Sequence, residues 1–102
     1  MNNYKIRFSI TAEYDIRELA FFLLGIMSKE GANRYLDAMV SEIMSLSLFA
    51  DLYTPSRYAD IRRYHPFARR MVSHNKRWVY IFHIDNETVI IDRIIPSKTI
   101  TK

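Results

Sequence analysis

The sequence predicts an α+β protein of two layers: an N-terminal strand, then a helical hairpin packed on one face of a mostly antiparallel sheet. Three observations predict it. Apolar and polar residues alternate with period two over Tyr4–Ile10 and again from Asp60 onward. Between them, apolar positions recur every three or four residues from Ile16 to about Ala50. Pro55, Pro66 and the pairs Asn75-Lys76 and Asp85-Asn86 mark joints between these segments.

The elements follow in order. In YKIRFSI, Tyr4, Ile6, Phe8 and Ile10 alternate with Lys5, Arg7 and Ser9, the pattern of a half-buried strand. Thr11 then offers a helix N-cap, with Glu13 and Asp15 in the first turn, where the helix dipole favours anions. Ile16, Leu19, Ala20, Leu23, Leu24 and Met27 form one helical stripe, and Phe21, Phe22 and Ile26 widen it. The wider stripe implies burial on two sides within the chain, in preference to an apolar flank kept for a partner. A short break at Ser28–Gly31 predicts that the next helix, carrying Leu36, Met39, Val40 and Ile43, runs back antiparallel. Asp51–Arg57, with Pro55, is the loop that ends the helical half.

From Asp60 the period returns to two. Ile61–His65 reads as a short strand ended by Pro66, followed by strands over Arg69–His74, Arg77–Ile84 and Thr88–Ile95. Asn75-Lys76 and Asp85-Asn86 supply the turns, since Asn and Asp tolerate positive φ. Closing the first hairpin there sets Met71 opposite Tyr80. Closing the second sets Phe82 opposite Val89 and Trp78 opposite Arg93. By parity, Met71, Trp78, Tyr80, Phe82, Ile84, Val89, Ile91 and Ile95 share the face that takes the helices. Arg93 is the exception on that face, reaching the rim or stacking on Trp78. Arg70, Val72, His74, Arg77, Val79, Ile81, His83, Ile90, Asp92 and Ile94 then share an open, basic face.

All 102 residues make one domain. Residues 1–56 hold five Lys/Arg against seven Asp/Glu, and residues 57–102 hold ten against four. That asymmetry points to an anionic partner: a nucleic acid or an acidic protein. Its cationic part is Arg62, Arg63, His65, Arg69, Arg70, His74, Lys76 and Arg77, interleaved with Tyr58, Tyr64, Phe67 and Trp78. Guanidinium forks bind phosphate or carboxylate and aromatic rings stack on bases, so RNA, DNA and an acidic peptide fit equally.

Other chemistries find no support. Without Cys there is no disulfide, thiolate ligand or thiol nucleophile. His65, His74 and His83 are spaced nine and nine, unlike a zinc pair, and read as surface imidazoles. A site shared by His74 and His83 is the lesser reading. No Gly-rich phosphate loop or serine elbow is present, and Asp92 is the single carboxylate on the basic face. No metal and no cofactor are expected. The opening MNNYKIRFS has no apolar core of a signal peptide, and Leu19–Met27 is too short to span a bilayer, so a cytoplasmic protein is expected.

The order of elements resembles a known family. YKIRFS, a helical hairpin running into DLYTP, then DIRR, and finally WVYIFHIDNETVIIDRII is similar to the RelE/ParE superfamily of bacterial toxins from type II toxin–antitoxin modules. The resemblance covers nearly the whole chain and is carried best by the last hairpin. It implies a compact toxin neutralised by a cognate antitoxin encoded beside it. RelE-like members bind the ribosome and cut messenger RNA with a loose set of Arg, Lys, His, Glu and Tyr. ParE-like members poison DNA gyrase instead.

This sequence departs from the ribonuclease pattern at two positions. Val79 stands where the ribonucleases often carry Arg, and Pro96 where the last strand runs into His or Tyr. Neither residue type moves a proton or offsets phosphate charge. The resemblance is therefore nearer ParE: a toxin acting by binding, with gyrase as inferred target. The alternative is a ribosome-dependent messenger RNA endoribonuclease, with His83 as acid–base group and Arg70 and Arg77 beside it. A third reading is an inactive basic binding domain.

Overall fold

The computed structural model describes residues 3–99. Strand β1 (Lys5–Phe8) leads into helix α1 (Ile10–Ile26), and α2 (Lys29–Met44) returns along it. A single turn, α3 (Leu46–Phe49), and a 3-10 turn over Ala50–Leu52 carry the chain to α4 (Ala59–Arg62). Strands β2 (Arg69–Val72), β3 (Trp78–Asp85) and β4 (Thr88–Pro96) complete a four-stranded sheet in the order β1-β4-β3-β2. The β1–β4 pair is parallel and the other two pairs are antiparallel.

Local chemistry moves several expected boundaries. Ser9, not Thr11, caps α1: its Oγ accepts the Ala12 N–H at 3.0 Å, which ends β1 at Phe8. Ser28 caps α2 the same way, through Gly31 N–H. Residues 61–65, expected as a strand, form the end of α4 and a turn instead. The period-two reading fails there because five residues cannot distinguish alternation from little more than one helical turn. In the two hairpins Lys76 (φ 65°) and Asn86 (φ 56°) take the left-handed positions.

Met71 pairs with Tyr80 as the sequence predicts. In the last hairpin the turn falls one residue later, over 86–87, so Phe82 meets Ile91 rather than Val89. A two-residue slip preserves the faces. The faces change where Ile81 pairs with Arg93 while its neighbour Phe82 pairs with Ile91. Asp92 is the extra residue of a β-bulge, and the parity of β4 reverses beyond it.

The helices cover Met71, Trp78, Tyr80, Phe82, Ile84, Val89, Ile91 and Ile94. Ile94 thus replaces Ile95 on this face. The other face is not open. Ile95, Val79 and Ile81 form a second core with Ile61, Ala68 and Tyr64, supplied by the segment after the helical hairpin. Three aliphatic strand residues on one face need such a cover.

Polar clamps fix the layers. Glu42 of α2 accepts the Tyr80 hydroxyl at 2.7 Å and the His74 N–H at 2.6 Å. Burial first, and then the hydrogen bond to Glu42, hold the Tyr80 hydroxyl well above the usual tyrosine range. Tyr35 accepts from the Trp78 indole N–H at 2.9 Å and from Asn75 at 3.0 Å. Glu42→Gln, which weakens charge-assisted bonds without deleting the side chain, is expected to cost about 1–2 kcal/mol in urea unfolding.

Candidate functional site

Among the described residues, the sequence-predicted chemistry converges at the end of the covering segment. His65 follows α4 and precedes Pro66. Its Nδ1 accepts the Phe67 N–H at 3.1 Å, which leaves the hydrogen of the neutral ring on Nε2. The ring lies on His83 with centroids 3.7 Å apart and planes 3° from parallel. Beneath it, His83 Nδ1 meets Asp92 Oδ2 at 2.7 Å. Asp92 is the bulge residue, and the N-cap of α1 holds the bulge: Ser9 N–H donates to the Ile91 carbonyl and Ser9 Oγ to the Asp92 carbonyl, both at 3.0 Å. The bulge aims a carboxylate at the imidazole that an unbroken strand would place differently.

Such a dyad orients an imidazole for proton transfer. Here it is enclosed. The His83 and Asp92 side chains are 13% and 15% exposed, and His65 covers one ring face. Of the cations that would offset phosphate charge, one is engaged elsewhere and the other is distant. Arg70 lies opposite Ile81 and turns to the Tyr58 ring, 5.2 Å from its centroid. Arg77 precedes β3, six residues from His83, a separation of about 20 Å along an extended chain. Val79 is buried in the second core, not presented on an open face. His74 is exposed at the β2–β3 turn, its N–H on Glu42, so the structure does not bring it to His83. Among the described residues no group of three or more His, Asp or Glu is placed to hold a metal ion.

The remaining cations divide by role. Arg69 is structural, with Nη1 donating to the Tyr53 carbonyl at 2.7 Å. Arg62 and Arg63 are exposed on and just after α4, and Lys76 and Arg77 are exposed at the β2–β3 turn. Tyr64 lies under both Arg63 (5.5 Å) and Arg93 (5.7 Å), in a groove of about 490 Å³ closed by Asp60, Ile95, Pro96 and Thr99. Arg93 does not stack on Trp78. It reaches the rim, where Asp15 binds it through Nε at 2.8 Å and Nη2 at 3.2 Å. The hydrogen bond to Asp15 holds that guanidinium above its ordinary range. Sequence reasoning missed the His65–His83 stack and the Asp92 partner. The available signal was Asp92 itself, a carboxylate interrupting the apolar run TVII–RII.

The fold has a structural neighbour. No protein-family model and no curated protein matches the sequence. Among solved structures, a chain of the chromosomal ParDE TA system from P. aeruginosa superposes with a TM-score of 0.77 at 14% identity. The match covers 92% of this chain and 96% of that one. The fold is ParE-like. Within that ParE-like fold, α1 carries a feature the sequence reading assigned to the interior. Phe21, Phe22, Leu24 and Ile26 are exposed, Phe21 at 76%, so the widened stripe is an apolar flank and not a second buried side. Phe21→Gln and Ile26→Gln are each expected to change stability by less than about 0.5 kcal/mol while lowering retention on a hydrophobic column. Among the described residues no helix is long and apolar enough to cross a membrane.

Proposed function

We propose that the chain is the toxin of a type II toxin–antitoxin module, acting in the cytoplasm by binding a cellular target, and neutralised by a cognate antitoxin. DNA gyrase is the target that the ParE likeness suggests. The observation that carries the reading is a ParE-like fold over 92% of the chain. The site geometry supports binding over RNA scission: His83 is enclosed under His65, Arg77 is remote from it, and Val79 lies in the core. A nuclease needs a base and a charge-stabilising cation at one phosphate.

Induction in a bacterial host is expected to arrest growth, and co-expression of a small neighbouring reading frame to relieve it. Purified protein is expected to inhibit gyrase supercoiling while transcripts stay intact. His83→Ala, folded by circular dichroism, is expected to arrest growth as well as the parent chain. Codon-linked messenger RNA cuts that vanish in His83→Ala would instead establish the ribonuclease reading. The antitoxin's binding segment is expected to be amphipathic and acidic, so its affinity should fall as salt rises.

A further inference from the structure

Strand β2 is the edge of the sheet. Ser73 N–H donates to the Trp78 carbonyl at 2.8 Å, so the Ser73–Trp78 pair faces inward. In an antiparallel ladder the inward pairs alternate. Met71–Tyr80 and Arg69–Phe82 are therefore inward as well, and the main-chain groups of Arg70 and Val72 point away from the sheet. The flanking residues agree. The outward carbonyl of Ala68 accepts Ser56 N–H at 2.8 Å, and the outward N–H of His74 goes to Glu42 at 2.6 Å. Both ends of the edge are capped from within the chain. Between them lies one segment of strand, Arg70–Val72, with two donors and two acceptors turned outward.

The side chains around this segment have a definite character. Val72 is 47% exposed and shares a face with Arg70, two residues away. Beside them a groove of about 560 Å³ is lined by residues 52–58 and Arg70. It carries exposed Leu52, the Tyr58 ring under Arg70, and Arg57. Lys76 and Arg77 stand exposed past the other end. A second copy of the chain is a poor occupant, because pairing two such edges would gather like charges. A nucleic acid would answer the charge but not the outward peptide groups.

We propose that β2 accepts an extended acidic segment of a partner protein as a fifth strand, with an apolar side chain opposite Val72 and a carboxylate, two residues along, opposite Arg70. Main-chain pairing to Arg70 and Val72 provides the attachment, and the apolar-x-acidic pattern provides the selectivity. The proposal deepens the toxin reading, on which the identity of the partner rests. Its test uses a synthetic peptide, so it succeeds or fails whatever the growth and gyrase assays give.

The probe is a short threonine-rich peptide with the core Val-Thr-Glu, which sets valine and glutamate two residues apart on one strand face, titrated into the intact protein by amide NMR, with the same peptide carrying lysine for glutamate as control. The Arg70 and Val72 amides are expected to shift most, and the acidic peptide to bind about tenfold more tightly than the basic one. Val72→Pro removes one outward donor that the sheet does not use, and proline is tolerated on edge strands. It is expected to weaken binding about fivefold to tenfold with thermal unfolding little changed. Arg70→Glu, an independent variant, is expected to reverse the preference toward the lysine peptide. Equal binding of the two peptides, shifts centred away from β2, or unchanged affinity in a folded Val72→Pro would each overturn the proposal. So would an oligouridylate that shifts the same amides and displaces the peptide.

Discussion

Ile81→Asp is expected to leave no cooperatively folded protein at room temperature. Ile81 is fully buried on the face away from the helical hairpin, among Ile61, Ala68, Val79 and Ile95. The cross-strand neighbours of Ile81, Arg70 and Arg93, are held on the Tyr58 ring and by Asp15, so a carboxylate there lies among apolar side chains, and an uncompensated buried charge costs more than a small domain's margin allows. Ile81→Ala separates packing from charge and is expected to cost about 2–5 kcal/mol, since it opens a cavity between sheet and cover. Val72→Ala on the same face is expected to cost under about 1 kcal/mol, because that side chain is half in water already. Urea unfolding of the three variants checks the contrast. Near-equal effects of Ile81→Ala and Val72→Ala would mean that residues 53–68 do not cover the sheet in solution.

Asp15→Ala is expected to cost about 3 kcal/mol, because one carboxylate serves two charge-assisted bonds and one main-chain bond. Strand β1 ends at Phe8, so β4 has no parallel neighbour beyond Ile91. Asp15 of α1 takes over: Oδ2 accepts the Ile94 N–H at 2.9 Å while both oxygens hold Arg93. Its removal leaves the Ile94 N–H without its partner just past the bulge and frees Arg93 beside Tyr64. Asp15→Asn, whose amide oxygen still accepts from Ile94, is expected to recover about half of the loss. Equilibrium unfolding reads both variants. A cost under about 0.5 kcal/mol for Asp15→Ala would show that the bulge is held by Ser9 alone.

The layer order was legible because its signals are local and long. Seventeen residues of α1 and eight of β3 carry their periods clearly. The candidate site was half legible. His83 was visible as a strand histidine, but its partners were not, since Asp92 reaches it through a one-residue bulge and His65 through a covering loop. The same bulge placed Ile94 and Ile95 on exchanged faces. The flank of Phe21, Phe22 and Ile26 was visible as apolar, and only its surroundings were hidden.

Periodicity, charge asymmetry and the two hairpins came from the chain by itself: they determined two layers, an antiparallel C-terminal sheet and a basic second half. Register beyond Phe82, the second core around Ile81, and the enclosure of His83 were decided by tertiary structure. The reason is that a strand's parity holds only while the ladder is unbroken. A single extra residue at Asp92, anchored by Ser9 from far away in the chain, reverses it, and the local pattern marks there only a carboxylate in an apolar run, not a break in the ladder.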